Sequence, residues 1–212
     1  LNGDLDPLEQ VFQKMNLIDS SNYMNWSARV YYLKREPDKS IEVLNNAIWN
    51  NSQMDPVFET YRDYQLANAY RLKGDHAQAN RHFELVTDKL GRLLESSLQA
   101  QVYEGMMIAT SMARMDRHEE ALDLALQLVR ENPIEKDAML YGWLLSAAAL
   151  VKGIAGDHEG AIDDLAVALE IPAAIRTSRW ELYYDPDWDF LRDNPRFVEL
   201  ATPPTVIRTV TP

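Results

Sequence analysis

The sequence predicts an all-α fold built from repeated helix pairs. Apolar residues recur at the three- and four-residue spacing of helices along most of the 212 residues, and no stretch alternates with period two for long enough to form a sheet. Small residues that follow a tight turn recur at nearly constant spacing, at Ser40, Ala79, Ala121 and Ala161. Repeats of this kind bury their apolar faces by stacking. We therefore expect an α-solenoid of about four helical hairpins, with a period of about 40 residues and a C-terminal capping segment.

A short helix is expected at the start of the chain, because the Asp of Asp6-Pro7 can cap free backbone amides and Pro is tolerated at the first helical position. The four pairs follow, with first and second helices at about 21–33 and 38–49, 56–73 and 76–90, 98–115 and 117–131, and 134–155 and 157–171. Lys152 stands where other first helices carry Tyr70 and Met112. This difference predicts a one-residue shift or a local bulge in the fourth pair.

The period breaks after Pro172. Two short helical turns are expected there, opened by Asp185-Pro186 and Asn194-Pro195, and residues 201–212 are expected to be extended or disordered. These boundaries divide the chain into a repeat array over 1–172, a helical cap over 173–201 and a tail over 202–212. Four apolar residues of the cap are predicted to cover the exposed end of the array: Trp188, Leu191, Phe197 and Leu200.

Each half of the stretch from Gln65 to Pro133 combines a helix, a tight turn and a second helix. The first half carries Leu66-Ala67-x-x-Tyr70 and Gly74-Asp75-His76, and the second carries Ile108-Ala109-x-x-Met112 and Asp116-Arg117-His118. This pattern resembles the tetratricopeptide repeat, whose standard unit is about 34 residues. The longer period of this chain predicts longer helices or looser connections between the hairpins.

The segment Asp185-Pro-x-Trp-x-x-Leu-Arg-Asp-x-Pro-Arg-Phe-x-x-Leu200 is similar to a recurrent bacterial ending. It looks like the close of the tetratricopeptide regions attached to winged-helix transcriptional regulators, adenylate cyclases and Ser/Thr kinases. This resemblance implies a protein-binding or sensory module joined to an output domain. The chain begins with Leu1 rather than Met, and we expect it to be a piece of a longer protein.

Charge and composition exclude several classes of partner. A net charge of −12 disfavours nucleic acid and anionic membrane surfaces, because such binding depends on Lys and Arg neutralising phosphates. The longest apolar run, Leu140 to Val151, is too short to span a membrane. The absence of cysteine excludes disulfides and thiolate metal sites. We expect a soluble protein of the cytoplasm or the periplasm, with neither direct nucleic-acid contact nor membrane insertion.

Two dipeptides, His118-Glu119 and His158-Glu159, invite interpretation as a zinc-peptidase motif. That motif needs a second His four residues after the first, and Leu122 and Ile162 stand there instead. Together with His76, these histidines recur just after the turn, where an aromatic ring usually packs between the paired helices. We therefore predict a packing role and no metal site.

The alternating acids Asp185, Asp187 and Asp189 have the spacing of a calcium-binding loop, but Phe190 and Arg196 stand where that loop needs Gly and Glu. Helix capping explains these acids better. The sequence has neither a Gly-rich phosphate-binding loop nor a nucleophile elbow. It therefore predicts no catalytic residue, no cofactor and no enzyme activity.

The tetratricopeptide resemblance implies a concave face lined by the first helix of each pair, which is the predicted peptide-binding site. Eleven residues are assigned to it by repeat position: Asn25, Arg29, Tyr32, Tyr61, Tyr64, Asn68, Arg71, Tyr103, Met106, Thr110 and Arg114. Arg offers bidentate contacts and Tyr offers rigid contact area, so the face suits an acidic or phosphorylated partner centred on Arg71. Two alternatives stay open. The residues form a solvated, partly packed face, or Arg71 pairs with a carboxylate of a neighbouring repeat and stabilises the stack.

The leading functional hypothesis is a non-enzymatic adaptor or scaffold that presents this concave face to a protein or peptide. The second is a small-molecule-sensing domain that regulates a larger bacterial signalling or transcription-control protein. A closed, ligand-sized pocket in the arc would favour the sensor, and an open groove would favour the adaptor. Self-association is compatible with either hypothesis.

Overall fold

The structure of the chain, a computed structural model, describes residues 5–6, 10, 20–46, 56–96, 102–171 and 177–203. The predicted first helix, the predicted helix ends near residues 49 and 98, and the tail beyond residue 203 lie outside these ranges. Every regular element within the ranges is helical, and no strand occurs there. The prediction of an all-α chain with packed consecutive helix pairs is confirmed for this part.

Eight longer helices of the described ranges form four consecutive pairs. The first helices are α1 (Ser20–Leu33), α3 (Pro56–Lys73), α5 (Val102–Arg114) and α7 (Ala138–Ile154). The second helices are α2 (Pro37–Asn46), α4 (His76–Ser96), α6 (His118–Glu131) and α8 (His158–Glu170). The two helices of each pair contact one another, and the second helix of each of the first three pairs also contacts the first helix of the next. The core is therefore a series of apolar clusters that follows the pairs.

All four pairs turn in the same way. The turn residue with positive φ lies five positions before the small residue that follows the turn: 61° at Arg35, 85° at Gly74, 62° at Asp116 and 100° at Gly156. The next residue donates its backbone amide to the carbonyl five residues earlier at 2.9 or 3.0 Å: Glu36 to Tyr31, Asp75 to Tyr70, Arg117 to Met112, and Asp157 to Lys152. The four small residues after the turns are all buried, as close helix approach requires.

The expectation of a shift or bulge at Lys152 is wrong. Its carbonyl accepts the same turn hydrogen bond as the carbonyls of Tyr70 and Met112, and α7 runs unbroken through this residue. The side chain finds a polar partner on α8, with Nζ 2.5 Å from Oδ2 of Asp164. The repeat register is therefore the same in the fourth pair as in the others.

Helix α7 begins at Ala138, four residues later than predicted. The residues after Pro133 form a turn, in which the amide of Lys136 donates to the carbonyl of Pro133 at 2.9 Å. Asp137 is the N-cap, and its Oδ1 accepts from the amide of Leu140 at 3.0 Å. The capping carboxylate, rather than the proline, sets the start of this helix.

Three short helical elements, rather than the two predicted, follow the fourth pair: α9 (Arg179–Tyr184), a 3-10 helix (Pro186–Leu191) and α10 (Pro195–Ala201). The two predicted starts are correct, because the side chains of Asp185 and Asn194 cap the 3-10 helix and α10. The unpredicted α9 begins after Ser178, whose hydroxyl accepts from the amide of Glu181 at 3.1 Å.

The C-terminal segment, defined as residues 177–203, packs into the core. Trp188, Leu191 and Phe197 are at most 5% exposed, and they join a cluster with Ile162 and Leu165 of α8. Leu200 is half-buried against the same cluster. No helix in the described ranges is long and apolar enough to cross a membrane.

Candidate binding pocket beneath the C-terminal segment

A cavity of about 430 Å³ lies between the first helices and the C-terminal segment. Helices α1, α3, α5 and α7 supply most of its lining: Arg29, Tyr32, Tyr61, Tyr64, Gln65, Asn68, Tyr103, Met106, Met107, Thr110, Trp143, Ser146, Ala147 and Leu150. Ser40 of α2 also reaches it. The C-terminal segment closes one side with Thr177, Glu181, Asp185, Asp187 and Trp188.

Eight of the eleven residues assigned to the concave face line this cavity: Arg29, Tyr32, Tyr61, Tyr64, Asn68, Tyr103, Met106 and Thr110. Two more, Arg71 and Arg114, contact Asp187 from α3 and α5. Asn25 lies on α1, but its side chain is outside the described residues. The structure therefore brings ten of the assigned residues to one region around the first helices.

Asp187 is the centre of a buried ionic cluster. Its Oδ1 accepts hydrogen bonds from the hydroxyl of Tyr32 at 2.8 Å, from Nη2 of Arg71 at 2.8 Å and from Nη2 of Arg114 at 2.9 Å. Nη2 of Arg71 also donates to the Tyr32 hydroxyl at 2.7 Å. Burial opposes the charge of Asp187, but the charges of Arg114, Arg71 and Arg29 prevail and lower its pKa. The cluster therefore joins three first helices to the C-terminal segment through an ionised carboxylate.

The neighbouring carboxylate, Asp185, pairs with Arg29 of α1. Nη2 of Arg29 lies 2.5 Å from Oδ2 of Asp185 and 3.8 Å from Oε1 of Glu181. Burial and the charge of Asp187 raise the pKa of Asp185, whereas Arg29 acts in the opposite direction. Burial and the charges of Asp185 and Asp187 raise the pKa of Glu181 against the opposing charge of Arg29, although 45% of its side chain still reaches solvent.

Asp189 completes the series of alternating acids. Both of its oxygens accept from the guanidinium of Arg35, at 2.5 and 2.6 Å, and Nε of Arg192 donates to Oδ1 at 2.7 Å. The sequence-based interpretation of these acids as caps is correct for Asp185 but omits their Arg partners. Arg71 does pair with a carboxylate, as one alternative expected, but this carboxylate belongs to the C-terminal segment and not to a neighbouring repeat.

The fourth pair contributes lining residues that the concave-face assignment omits. Trp143 follows Tyr103 by one repeat period, and Tyr103 follows Tyr61 by another, so these three rings occupy one repeat position. The rings of Tyr103 and Trp143 have centroids 4.5 Å apart. Since the register is unbroken at Lys152, the repeat spacing is the signal that identifies Trp143.

Two of the three turn histidines do not pack as predicted, and the third, His118, is half-buried. His76 and His158 are exposed at the starts of α4 and α8, and the ring of His158 meets Phe190 with centroids 5.5 Å apart. A different histidine, His82, stacks on Tyr70 between the paired helices, with ring centroids 5.6 Å apart. Within the described ranges, no group of three or more His, Asp or Glu side chains is placed to hold a metal ion.

Comparison of the chain with protein-family models, curated proteins and solved structures finds no match. The functional argument therefore depends on the cavity and its chemistry.

Proposed function

We propose that this chain is a non-enzymatic binding module of the tetratricopeptide type, which takes a small molecule into the cavity beneath its C-terminal segment. Four turns of the same geometry, at a regular spacing along the chain, support the assignment as a solenoid of four tetratricopeptide-like hairpins. In this proposal the cavity is the ligand-sensing site of a larger bacterial signalling or transcription-control protein. The single observation that carries the proposal is a cavity of about 430 Å³ on the face formed by the first helices.

The cavity has the size and lining of a small-molecule site. Ligand pockets range from about 300 to about 1,000 Å³ and combine apolar and aromatic walls with a few polar groups. Tyr61, Tyr103, Met106 and Trp143 supply such walls here. Among the polar groups, Oε1 of Gln65 is buried and has no hydrogen-bond partner in the described structure, so it is available to a ligand that donates a hydrogen bond.

The C-terminal segment argues against a long peptide along the concave face. Arg71 and Arg114, which an acidic peptide would need, already bind Asp187. A peptide that displaced this segment would expose Trp188 and Phe197, among other buried side chains, at a cost of about 1.5–3 kcal/mol for each. The space that remains suits a compact ligand.

Protein or peptide binding is the second candidate function. Tyr103 lines the cavity and is 40% exposed, so a partner could insert one side chain there and contact the aromatic rim. Such a partner would contact the C-terminal segment as well as the first helices.

A fluorescent probe tests the proposed function. The neutral dye N-phenyl-1-naphthylamine brightens in apolar sites, and we expect one dye to bind per chain. The Ala147→Trp variant fills the cavity and should abolish this signal without changing the circular dichroism spectrum. Ala77→Trp, on the exposed surface of α4, is the matched control and should bind like the parent. If the parent gives no saturable signal, or if Ala147→Trp binds equally well, the cavity is not a ligand site.

A further inference from the structure

We propose that the ligand of this cavity carries an organic ammonium group, held by the aromatic rings of the first helices and by the carboxylate of Glu181. This inference rests on the proposed function, because it names the chemical class that the same cavity accepts. It depends on two observations: aromatic residues stand at one repeat position of successive first helices, and Glu181 is more weakly ion-paired than the other charged residues of the cavity.

Three aromatic residues from successive first helices meet at the cavity: Tyr61 of α3, Tyr103 of α5 and Trp143 of α7. Because they share one repeat position, their side chains leave neighbouring helices at equivalent places. The rings of Tyr103 and Trp143 have centroids 4.5 Å apart, and their planes are tilted at 49° to one another. The two rings are therefore inclined to each other and do not stack in parallel. Aromatic faces attract cations, and rings that surround a site from several sides are a recurrent way to bind quaternary ammonium groups.

Glu181 is the charged residue of the lining with the weakest ion pairing. Arg29 and Asp185 are 2.5 Å apart, and Asp187 accepts hydrogen bonds from Arg71 and Arg114. The distance from Glu181 Oε1 to Nη2 of Arg29 is 3.8 Å, and that nitrogen is already bound to Asp185. The side chain of Glu181 is 45% open to solvent. It can therefore meet a ligand cation without breaking a stronger ion pair.

The charges nearby disfavour an anionic ligand. Among the described residues that line the cavity, Arg29 is the only Lys or Arg. Burial lowers the pKa of Arg29, but the negative charges of Asp185, Asp187 and Glu181 outweigh this effect and raise it. Burial and the negative charge of Glu104 raise the pKa of Tyr61, so a further carboxylate lies near the aromatic rings. The chain as a whole carries a net charge of −12, which attracts cations over longer distances.

Two probes of equal shape separate charge recognition from simple filling of the cavity. Choline carries a trimethylammonium group, and 3,3-dimethylbutan-1-ol replaces its nitrogen with carbon. Calorimetric titration of the 212-residue chain should give a Kd for choline at least about tenfold lower than for the alcohol, because only the cation gains from the rings and the carboxylate. Choline should also displace N-phenyl-1-naphthylamine.

Variants test which side chains produce the preference for choline. Glu181→Gln and Trp143→Leu should each weaken choline binding by about fivefold or more, and Glu181→Gln should leave the alcohol unchanged. Tyr103→Leu tests the same wall if Trp143→Leu fails to fold. The matched controls are Glu170→Gln at the exposed end of α8 and Trp26→Leu on the exposed side of α1, and both should bind choline like the parent.

The outcomes distinguish this inference from the proposed function. If the dye binds but choline and the alcohol have equal affinities, or if neither probe binds, the cavity is a ligand site without a preference for ammonium groups and the inference is overturned. Choline binding that is unchanged in Glu181→Gln and in both ring variants overturns it as well. If the dye itself gives no saturable signal, the proposed function fails, and the inference fails with it because it rests on that function.

Discussion

Replacing Asp187 with Asn should loosen the C-terminal segment from the four helix pairs. The variant keeps the size of the side chain and one acceptor oxygen, but it removes the negative charge that faces Arg71 and Arg114. These two guanidinium groups and that of Arg29 would then share the site with Asp185 as the nearest carboxylate. The expected result is a large loss of stability with little change in helix content below the transition.

The magnitude follows from burial. Removing one partner of a buried ion pair costs about 3–5 kcal/mol, because the other charge stays buried without compensation. The side chain of Arg114 is 9% exposed and that of Arg71 is 22% exposed, so water relieves part of the cost at Arg71. We expect a loss near the lower end, about 3 kcal/mol, which corresponds to a fall in Tm of about 6–12 °C for a chain of this length.

Thermal unfolding followed by circular dichroism measures this loss, and Asp193→Asn is the control because it removes an exposed carboxylate of the same segment. Adding Arg71→Gln to Asp187→Asn should cost less than the sum of the two single changes, since both break the same contact. A difference in Tm of about 1 °C is what breaking an exposed ion pair would give. If Asp187→Asn melts within that range of the control, the cluster does not hold the segment in place.

Three further predictions concern the helix pairs. Asp116→Gly should raise stability by about 1 kcal/mol, because φ is 62° at this exposed turn residue and two of the other pairs carry Gly there. Arg35→Gly, at φ 61°, should not gain stability, because it loses the two hydrogen bonds to Asp189. Equal stabilisation by Asp116→Gly and Arg35→Gly would contradict this reasoning. Asp63 is the third case: burial would raise its pKa, but hydrogen bonds from His82 and Lys89 lower it below the ordinary 3.8. Ionised Asp63 therefore stabilises the folded state fully above pH 3.8, and this stabilisation is lost as the pH falls through the lower pKa of the folded state. Between pH 6 and pH 3, the melting temperature of Asp63→Asn should therefore fall less than that of the control Asp88→Asn.

Local signals predicted the helix pairs because the residues that make each turn lie close together in sequence. A small residue after the turn and a capping carboxylate before a helix act within a few positions. The late start of α7 shows the limit of this reasoning, because Pro133 and Asp137 both offer a start and the sequence does not say which prevails. Ser178 is a similar case: its capping of α9 depends on one hydroxyl, a weak signal beside the Asp-Pro and Asn-Pro pairs that follow.

Part of the candidate site could also be predicted from local sequence signals, and part could not. Repeat spacing placed Tyr61 and Tyr103 on one face, and the same spacing reaches Trp143 once the fourth pair keeps its register. The wall formed by the C-terminal segment could not be obtained in this way, because Asp187 meets Tyr32, Arg71 and Arg114 across 155, 116 and 73 residues of sequence. The remaining signal was charge: three alternating acids follow a region whose first helices carry Arg at positions expected on one face.

One segment both stabilises the chain and shapes its cavity, so the two properties are thermodynamically linked. Glu181 and Trp188 line the cavity, while Asp187, between them in sequence, is bound to α3 and α5. A ligand that touches Glu181 and the rings of α5 and α7 bridges the C-terminal segment and the helix pairs, and it must stabilise their contact by an amount that grows with its concentration relative to Kd. The same linkage requires Asp187→Asn to weaken ligand binding, if the segment detaches before the chain unfolds. Charge reversal at Arg71 would act in the same way, because Glu at that position would repel Asp187 and disturb the wall of the cavity as well as its charge.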